Sequence, residues 1–269
     1  MSVKTVIRDA GLAGLLVAMS AHTPAQEVRA DQIVAGSQEA FLAAGDDMVA
    51  RITMKLVNKA GRERLRELTM LRKDLDGGNQ KYFMYFHQPA DVRAMTFMVW
   101  TYPGRDDDRW LFVPAIKLVR RIAADDSRSS FVGSDFTYED VSGRDIELDT
   151  HTLLREETLD GADCYVVESV PVEGSASEYG RKRTWIARDT WLPLKEEYDD
   201  RRGQLARVFT ADEVQTIGGH PTVMRRTMRD VKREHRTEVV FESVRYDVGL
   251  SEALFAERYL REPPAEWIR

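Results

Sequence analysis

The chain has 269 residues, 43% of them hydrophobic and 31% charged, with a formal net charge of -6. That balance allows a buried core in a protein that stays in solution. The acidic charge and scattered basic residues exclude nucleic acid as a main partner, and the single cysteine, Cys164, excludes an internal disulfide.

At the N-terminus, Lys4 and Arg8 precede an apolar run from Gly11 to Ala21, and small residues follow. This order reads as a secretory signal peptide over residues 1–25, cleaved near Ala25. The run is short for a membrane span, and no cysteine follows it to carry a lipid. Residues 26–269 are expected to form one domain, a monomer in the periplasm of a two-membrane bacterium. Without disulfides, that domain relies on its core.

Asp31 to Ala44 has the spacing of a helix, with Ile33, Ser37, Ala40, Phe41 and Ala44 on one face and Gly45 as its stop. Strands follow. Met48, Ala50, Ile52, Met54 and Leu56 alternate with Val49, Arg51, Thr53 and Lys55. After a charged strand over 64–73 and a turn at Asp76–Asn79, Tyr82, Met84 and Phe86 point opposite to Phe83 and Tyr85. Met95, Phe97 and Val99 likewise oppose Thr96, Met98 and Trp100. A sheet with one wet face alternates apolar with polar. Here both faces are apolar, so both are expected to touch covering helices or a ligand. RWLFVP and KLVRRI then read as a hairpin around Pro114–Ile116.

FVGSDFTYEDV, Phe131 to Val141, concentrates a serine and three acids. It lacks the second glycine of a nucleophile elbow, so a hydrolase using Ser134 would need a distant histidine. A structural corner accounts for the same residues. Gly133 takes a positive φ, Ser134 caps a short helix, Asp135 sits in its first turn, and Phe136 and Tyr138 pack on the sheet. Glu139 and Asp140 are expected to pair with Lys117, Arg120 and Arg121.

Seven further strand candidates run from His151 to Val248, and Ser251 to Leu260 reads as a short helix capped by Ser251. The whole is mainly β, an antiparallel meander that would protect its edges by closing or by curling around helices. A curled sheet of this kind offers an interior cavity. The candidates to line it are Met54, Leu56, Met84, Phe86, Phe97, Trp110 and Phe112, since methionine and aromatic side chains adapt to irregular apolar partners. The five histidines lack metal-ligand spacing, and Asp106–Asp108 lacks the calcium-loop pattern, so no metal or cofactor is expected.

FHQPADVRAMTFMVW, DDDRWLFVPAIKLVRRI and SSFVGSDFTYEDV together resemble the LolA-like outer membrane lipoprotein-sorting protein family, as do WIARDTWLPLKEEYDDRRGQ and LFAERYL. Ala94-Met95 stands where that family often has Gly-Thr. The resemblance implies an incomplete, half-open antiparallel β-barrel covered by a few short helices. It also implies a periplasmic carrier that holds the acyl chains of a lipid or lipoprotein in an apolar cavity for transfer toward the outer membrane, without catalysis. Phe131, Gly133, Ser134, Asp135, Phe136 and Tyr138 would form a lid over one end of the cavity. The alternative is an adaptor for an RND/MMPL-type exporter or envelope complex. In that case Lys117, Arg120 and Arg121 would be the contact with the exporter or an outer-membrane acceptor.

Overall fold

The computed structural model describes Met1 and residues 29–268, so the expected signal peptide and its cleavage site lie outside the described residues. Two antiparallel meanders build one sheet. The first contains β1 (Asp47–Val57), β2 (Glu63–Asp74), β3 (Gln80–Gln88), β4 (Thr96–Thr101), β5 (Asp108–Val113) and β6 (Leu118–Ile122). The second contains β7 (Asp149–Leu159), β8 (Ala162–Pro171), β9 (Arg181–Ala187), β10 (Pro193–Asp199), β11 (Leu205–Ile217), β12 (His220–Asp230) and β13 (His235–Tyr246). They join where β1 pairs with β13, from Met48 opposite Tyr246 to Val57 opposite Arg236. The order runs from β6 through β1 and β13 to β7, leaving β6 and β7 as free edges. The sheet is therefore an unclosed barrel, as the resemblance implies.

Three helices accompany the sheet among the described residues: α1 (Ala30–Leu42), α2 (Tyr138–Ser142) and α3 (Ala265–Ile268). The first lies against the second meander, with Ile33 buried among Tyr165, Val167 and Ile186. A Cβ on Gly36 would come within 2.9 Å of the Trp191 ring, so glycine permits this close approach. The helix ends at Leu42, before the expected Ala44. Arg72 draws its exit toward the sheet, donating from Nη1 to the Leu42 carbonyl at 2.9 Å and from Nη2 to those of Ala44 and, at 2.9 Å, Gly45.

The two apolar faces of the first meander acquire different covers. Met48, Ala50, Ile52, Met54, Tyr82, Met84, Phe86, Phe97 and Val99 belong to the inner cluster, which the Phe131–Tyr138 corner completes. Val49, Leu71, Phe83, Met98 and Trp110 face outward and are covered by Leu250, Leu254, Phe255 and Leu260. This C-terminal strap is also tied by polar contacts. Trp100 Nε1 donates to the Phe255 carbonyl at 3.0 Å and Thr96 Oγ1 to that of Leu260 at 2.8 Å. The Asp47 carboxylate accepts from the amides of Val248 and Leu250.

Two sequence expectations change here. The helix expected over 251–260 is instead two 3-10 turns, Glu252–Phe255 and Glu257–Leu260, although Ser251 does cap the first. Extended backbone at Ala256 separates them, and both Phe255 and Leu260 are fully buried. Trp110 and Phe112 do not join the other cavity candidates. Alternation along β5 sends them outward beneath the strap, while Leu111 and Val113 pack on the inner cluster. No helix among the described residues is long and apolar enough to cross a membrane.

Because Phe255 is fully buried where the strap meets the sheet, Phe255→Ala should destabilise the fold by roughly 3–5 kcal/mol. Chemical denaturation followed by circular dichroism measures this; an unchanged midpoint would mean that the strap adds little to stability.

Candidate functional site

The site is built around the corner between β6 and β7. Val132 and Gly133 have φ of +49° and +77°, which doubles the chain back on itself. The Phe131 amide then donates to the Phe136 carbonyl at 2.7 Å. This reversal drives three rings into the concave face. Phe131 lies 5.3 Å from Phe97 and 5.4 Å from Tyr138, and Tyr138 lies 5.3 Å from Phe97, all centroid to centroid. The spacings are those of favourable edge and tilted aromatic packing.

Polar contacts hold the corner, with a different distribution from the sequence expectation. The cap of α2 is Thr137, not Ser134. Its hydroxyl accepts from the Asp140 amide at 3.0 Å while the Asp140 carboxylate accepts from the Thr137 amide at 2.7 Å, a reciprocal capping box. Ser134 is buried, and its hydroxyl contacts the backbone of Phe136. Asp135 precedes the helix and so takes no part in its first turn. Its carboxylate accepts from Thr237 Oγ1 at 2.7 Å, and the same Thr237 oxygen accepts from the Asp135 amide at 3.0 Å. The corner is thereby pinned to β13.

The expected charge pairing with the β5–β6 hairpin is not formed. Asp140 pairs with Arg207 at 2.6 Å, and Glu139 lies 3.4 Å from Arg144. Arg120 pairs with Asp126, and Arg121 with Asp108. The reason is direction: α2 presents its acids to β11 and to the segment that follows it, while Lys117, Arg120 and Arg121 lie exposed on the outer edge. Burial opposes the charge on Arg207, but Asp140, Tyr198 and Glu178 outweigh it and hold the guanidinium firmly protonated. Burial pushes the Asp135 and Glu139 carboxyls above their ordinary range, against the opposing pull of Thr237 and of Arg144.

Beneath the corner, the concave face encloses a small apolar cavity. Met54 and Met84 line it, together with Phe41, Met70, Phe131, Phe136 and Phe241. Of the other candidates, Phe86 and Phe97 are buried under Phe131, and Leu56 packs at the margin of the same cluster. The remaining room is about 70 Å³, far below the roughly 300–1,000 Å³ of an ordinary ligand pocket. The corner's rings therefore fill space that an elongated ligand would need. A larger hollow, about 920 Å³, opens elsewhere and is lined by Asp74, Asp107, Arg109, Glu139 and Arg144 among others. Its charged wall does not suit an acyl chain. Among the described residues no group of three His, Cys, Asp or Glu is arranged to hold a metal.

Several lining residues, Phe41, Met70 and Phe241 among them, escaped the sequence reading, as did a charged one. Arg226 projects into the cavity from β12, on the same face as Met224 and Met228. Period-two alternation through VMRRTMR was the available signal.

A protein-family model, described as an uncharacterized-protein family, matches residues 78–262. Among solved structures, a DUF1329 family protein from Desulfovibrio piger is 30% identical with a TM-score of 0.78. The match covers 85% of this chain and 95% of that one. A putative outer membrane lipoprotein-sorting protein domain from Vibrio parahaemolyticus is 27% identical with a TM-score of 0.80, covering 86% and 98%. A LolA superfamily protein from Nitrosomonas europaea shares the fold at 20% identity, with a TM-score of 0.66 and coverage of 86% and 99%. No curated protein sequence matches the chain.

Asp135→Ala, which strands the Thr237 hydroxyl, should cost about 1–3 kcal/mol, and Asp135→Asn, which keeps an acceptor, should cost less. The raised carboxyl adds its sign. Its stabilising contribution is full below the ordinary aspartate range and is lost as pH rises through the higher folded value. Denaturation midpoints across pH 3–7 should thus slope less in Asp135→Asn than in the native protein. Identical slopes would show that this carboxyl is not perturbed.

Proposed function

The chain belongs to the DUF1329 family and has the LolA-like fold, and on that premise we propose that it is a periplasmic carrier for acyl chains. The supporting observation is a concave apolar surface, rich in methionine and phenylalanine, filled by an aromatic corner of its own chain. Its cargo is the acyl portion of a lipid or lipoprotein, moved toward the outer membrane. The secretory N-terminus delivers the protein to that compartment. No chemical step is required of it, so the function is binding and release rather than catalysis.

The energetics favour exchange over permanent occupancy. Each buried CH₂ of an acyl chain gains about 0.8 kcal/mol. Entry of a chain displaces Phe131, Phe136 and Tyr138, whose own burial is worth roughly 1.5–3 kcal/mol for each large apolar side chain. Cargo and corner thus compete for one surface. The corner recloses once cargo leaves, which keeps the empty carrier free of an exposed apolar patch. Asp135–Thr237 and Asp140–Arg207 are the contacts that must loosen for opening.

An adaptor role has a separate location in the fold. The hairpin carrying Lys117, Arg120 and Arg121 also exposes Ile116 in its turn and Leu118 on the free edge strand β6. An exporter or outer-membrane acceptor would engage the carrier there, well apart from the cavity lining.

Native mass spectrometry of protein taken from its own periplasm should show bound acyl lipid. Phe131→Ala should raise affinity for the neutral probe N-phenyl-1-naphthylamine several-fold, because one competing ring is gone. A lipid-free native protein, with no probe binding by either form, would refute the carrier function.

A further inference from the structure

Arg226 is a cation placed where an acyl carrier has no evident need of one. It lines the apolar cavity and also the adjoining pocket formed with Tyr179, Tyr198 and Arg207. Its cross-strand partners are Ala211 on β11 and Val239 on β13, neither of which offers an acceptor side chain. Three aromatic rings surround its guanidinium, with centroids at 4.9 Å for Phe241, 5.2 Å for Phe41 and 5.8 Å for Phe136. Cation–π attraction offsets part of the lost hydration, but it leaves the buried Nε–H without an oxygen partner.

Among the described residues, Nε of Arg226 is buried without a hydrogen bond, and no carboxylate forms a salt bridge with the side chain. The other arginines near the concave face differ. Arg72 bonds carbonyls at the end of α1, Arg109 pairs with Asp107 and Arg207 with Asp140. Arg72, Arg109 and Arg183 also leave Nε unpartnered, as Arg66 does one Nη, but Arg72, Arg109 and Arg183 reach oxygen partners through Nη, and Arg66 does not line the cavity. Arg226 is half-buried as a residue, but its Nε is enclosed, and a polar group enclosed without a partner forfeits its hydration without compensation. Burial accordingly pulls the Arg226 pKa down to about 10, leaving it still charged at neutral pH.

We propose that Arg226 receives the anionic head of a single-chain amphiphile, a carboxylate or phosphate monoester, whose alkyl chain occupies the cavity. The inference rests on the carrier function and narrows its cargo to ligands with a charged end inside the protein. The guanidinium supplies paired N–H donors that a carboxylate or phosphate accepts in parallel. The alkyl chain runs from there along Met54, Met70 and Met84, which line the same cavity. Phe136 contacts both the cavity and the Arg226 cage, so seating the head group there also disturbs the lid.

The test is displacement of N-phenyl-1-naphthylamine from the full-length mature protein at pH 7.5 by hexadecanoate, hexadecyl phosphate and hexadecan-1-ol, each below its aggregation threshold. One or both anions should bind about 10-fold or more tightly than the alcohol, the scale of a charge-assisted hydrogen bond. The stronger of the two identifies the head group. Arg226→Gln should bring the better anion to near parity with the alcohol, and Arg226→Lys should retain part of the preference. If the native protein binds alcohol and anions equally, or if Arg226→Gln keeps the full preference, the head-group assignment is wrong while the carrier function stands. If the native protein binds none of the three, both are wrong. Should Arg226→Gln fail to fold, the native comparison and Arg226→Lys decide.

Discussion

Burial of both faces of β3 is the constraint on which the molecule depends. Tyr82, Met84 and Phe86 alternate with Phe83 and Tyr85, and the neighbouring strands repeat the pattern. Each large apolar side chain left in water would forgo roughly 1.5–3 kcal/mol. One sheet cannot satisfy two apolar faces unaided, and this chain recruits two segments distant in sequence. The C-terminal strap seals the convex face, and the Phe131–Tyr138 corner seals the concave one.

The two covers are built differently. The strap reaches the sheet through fully buried side chains and through side-chain-to-backbone bonds from Trp100 and Thr96. The corner stands over residual space and is held by a short capped helix, one threonine–aspartate pair and one arginine–aspartate pair. Its rings are buried, but the space left beneath them makes it less tightly packed than the strap. The proposed carrier function needs one permanent cover and one that yields.

Charge on the concave side follows the same division. Arg72 and Arg207 are spent on closing α1 and α2, so their guanidinium groups belong to the covers. Arg226, caged by Phe41, Phe136 and Phe241, closes nothing. The distinction lies in which acids each guanidinium can reach. Ala211 and Val239 give Arg226 no partner, whereas Arg207 faces an acid delivered by the corner.

The strand periodicity of residues 48–57, 82–86 and 95–99 was legible in sequence, because alternation of side chains across a strand is a local property. So was the incomplete barrel, through its resemblance to known sorting proteins. Local preference also marked Gly133 for a positive φ and 131–141 as a corner. It misled at Trp110 and Phe112, which are as hydrophobic as their inward neighbours Leu111 and Val113, so composition could not say which pair faces the interior. It misled again over Glu139 and Asp140, since several arginines were plausible partners and only the path of the chain selects among them. What the sequence determined by itself was the need for cover on two apolar faces and the segments able to supply it. Tertiary structure alone decided which cover lies on which face, how little space remains beneath the corner, and that Arg226 is left unpaired, because these depend on strand order and register across residues far apart in the chain.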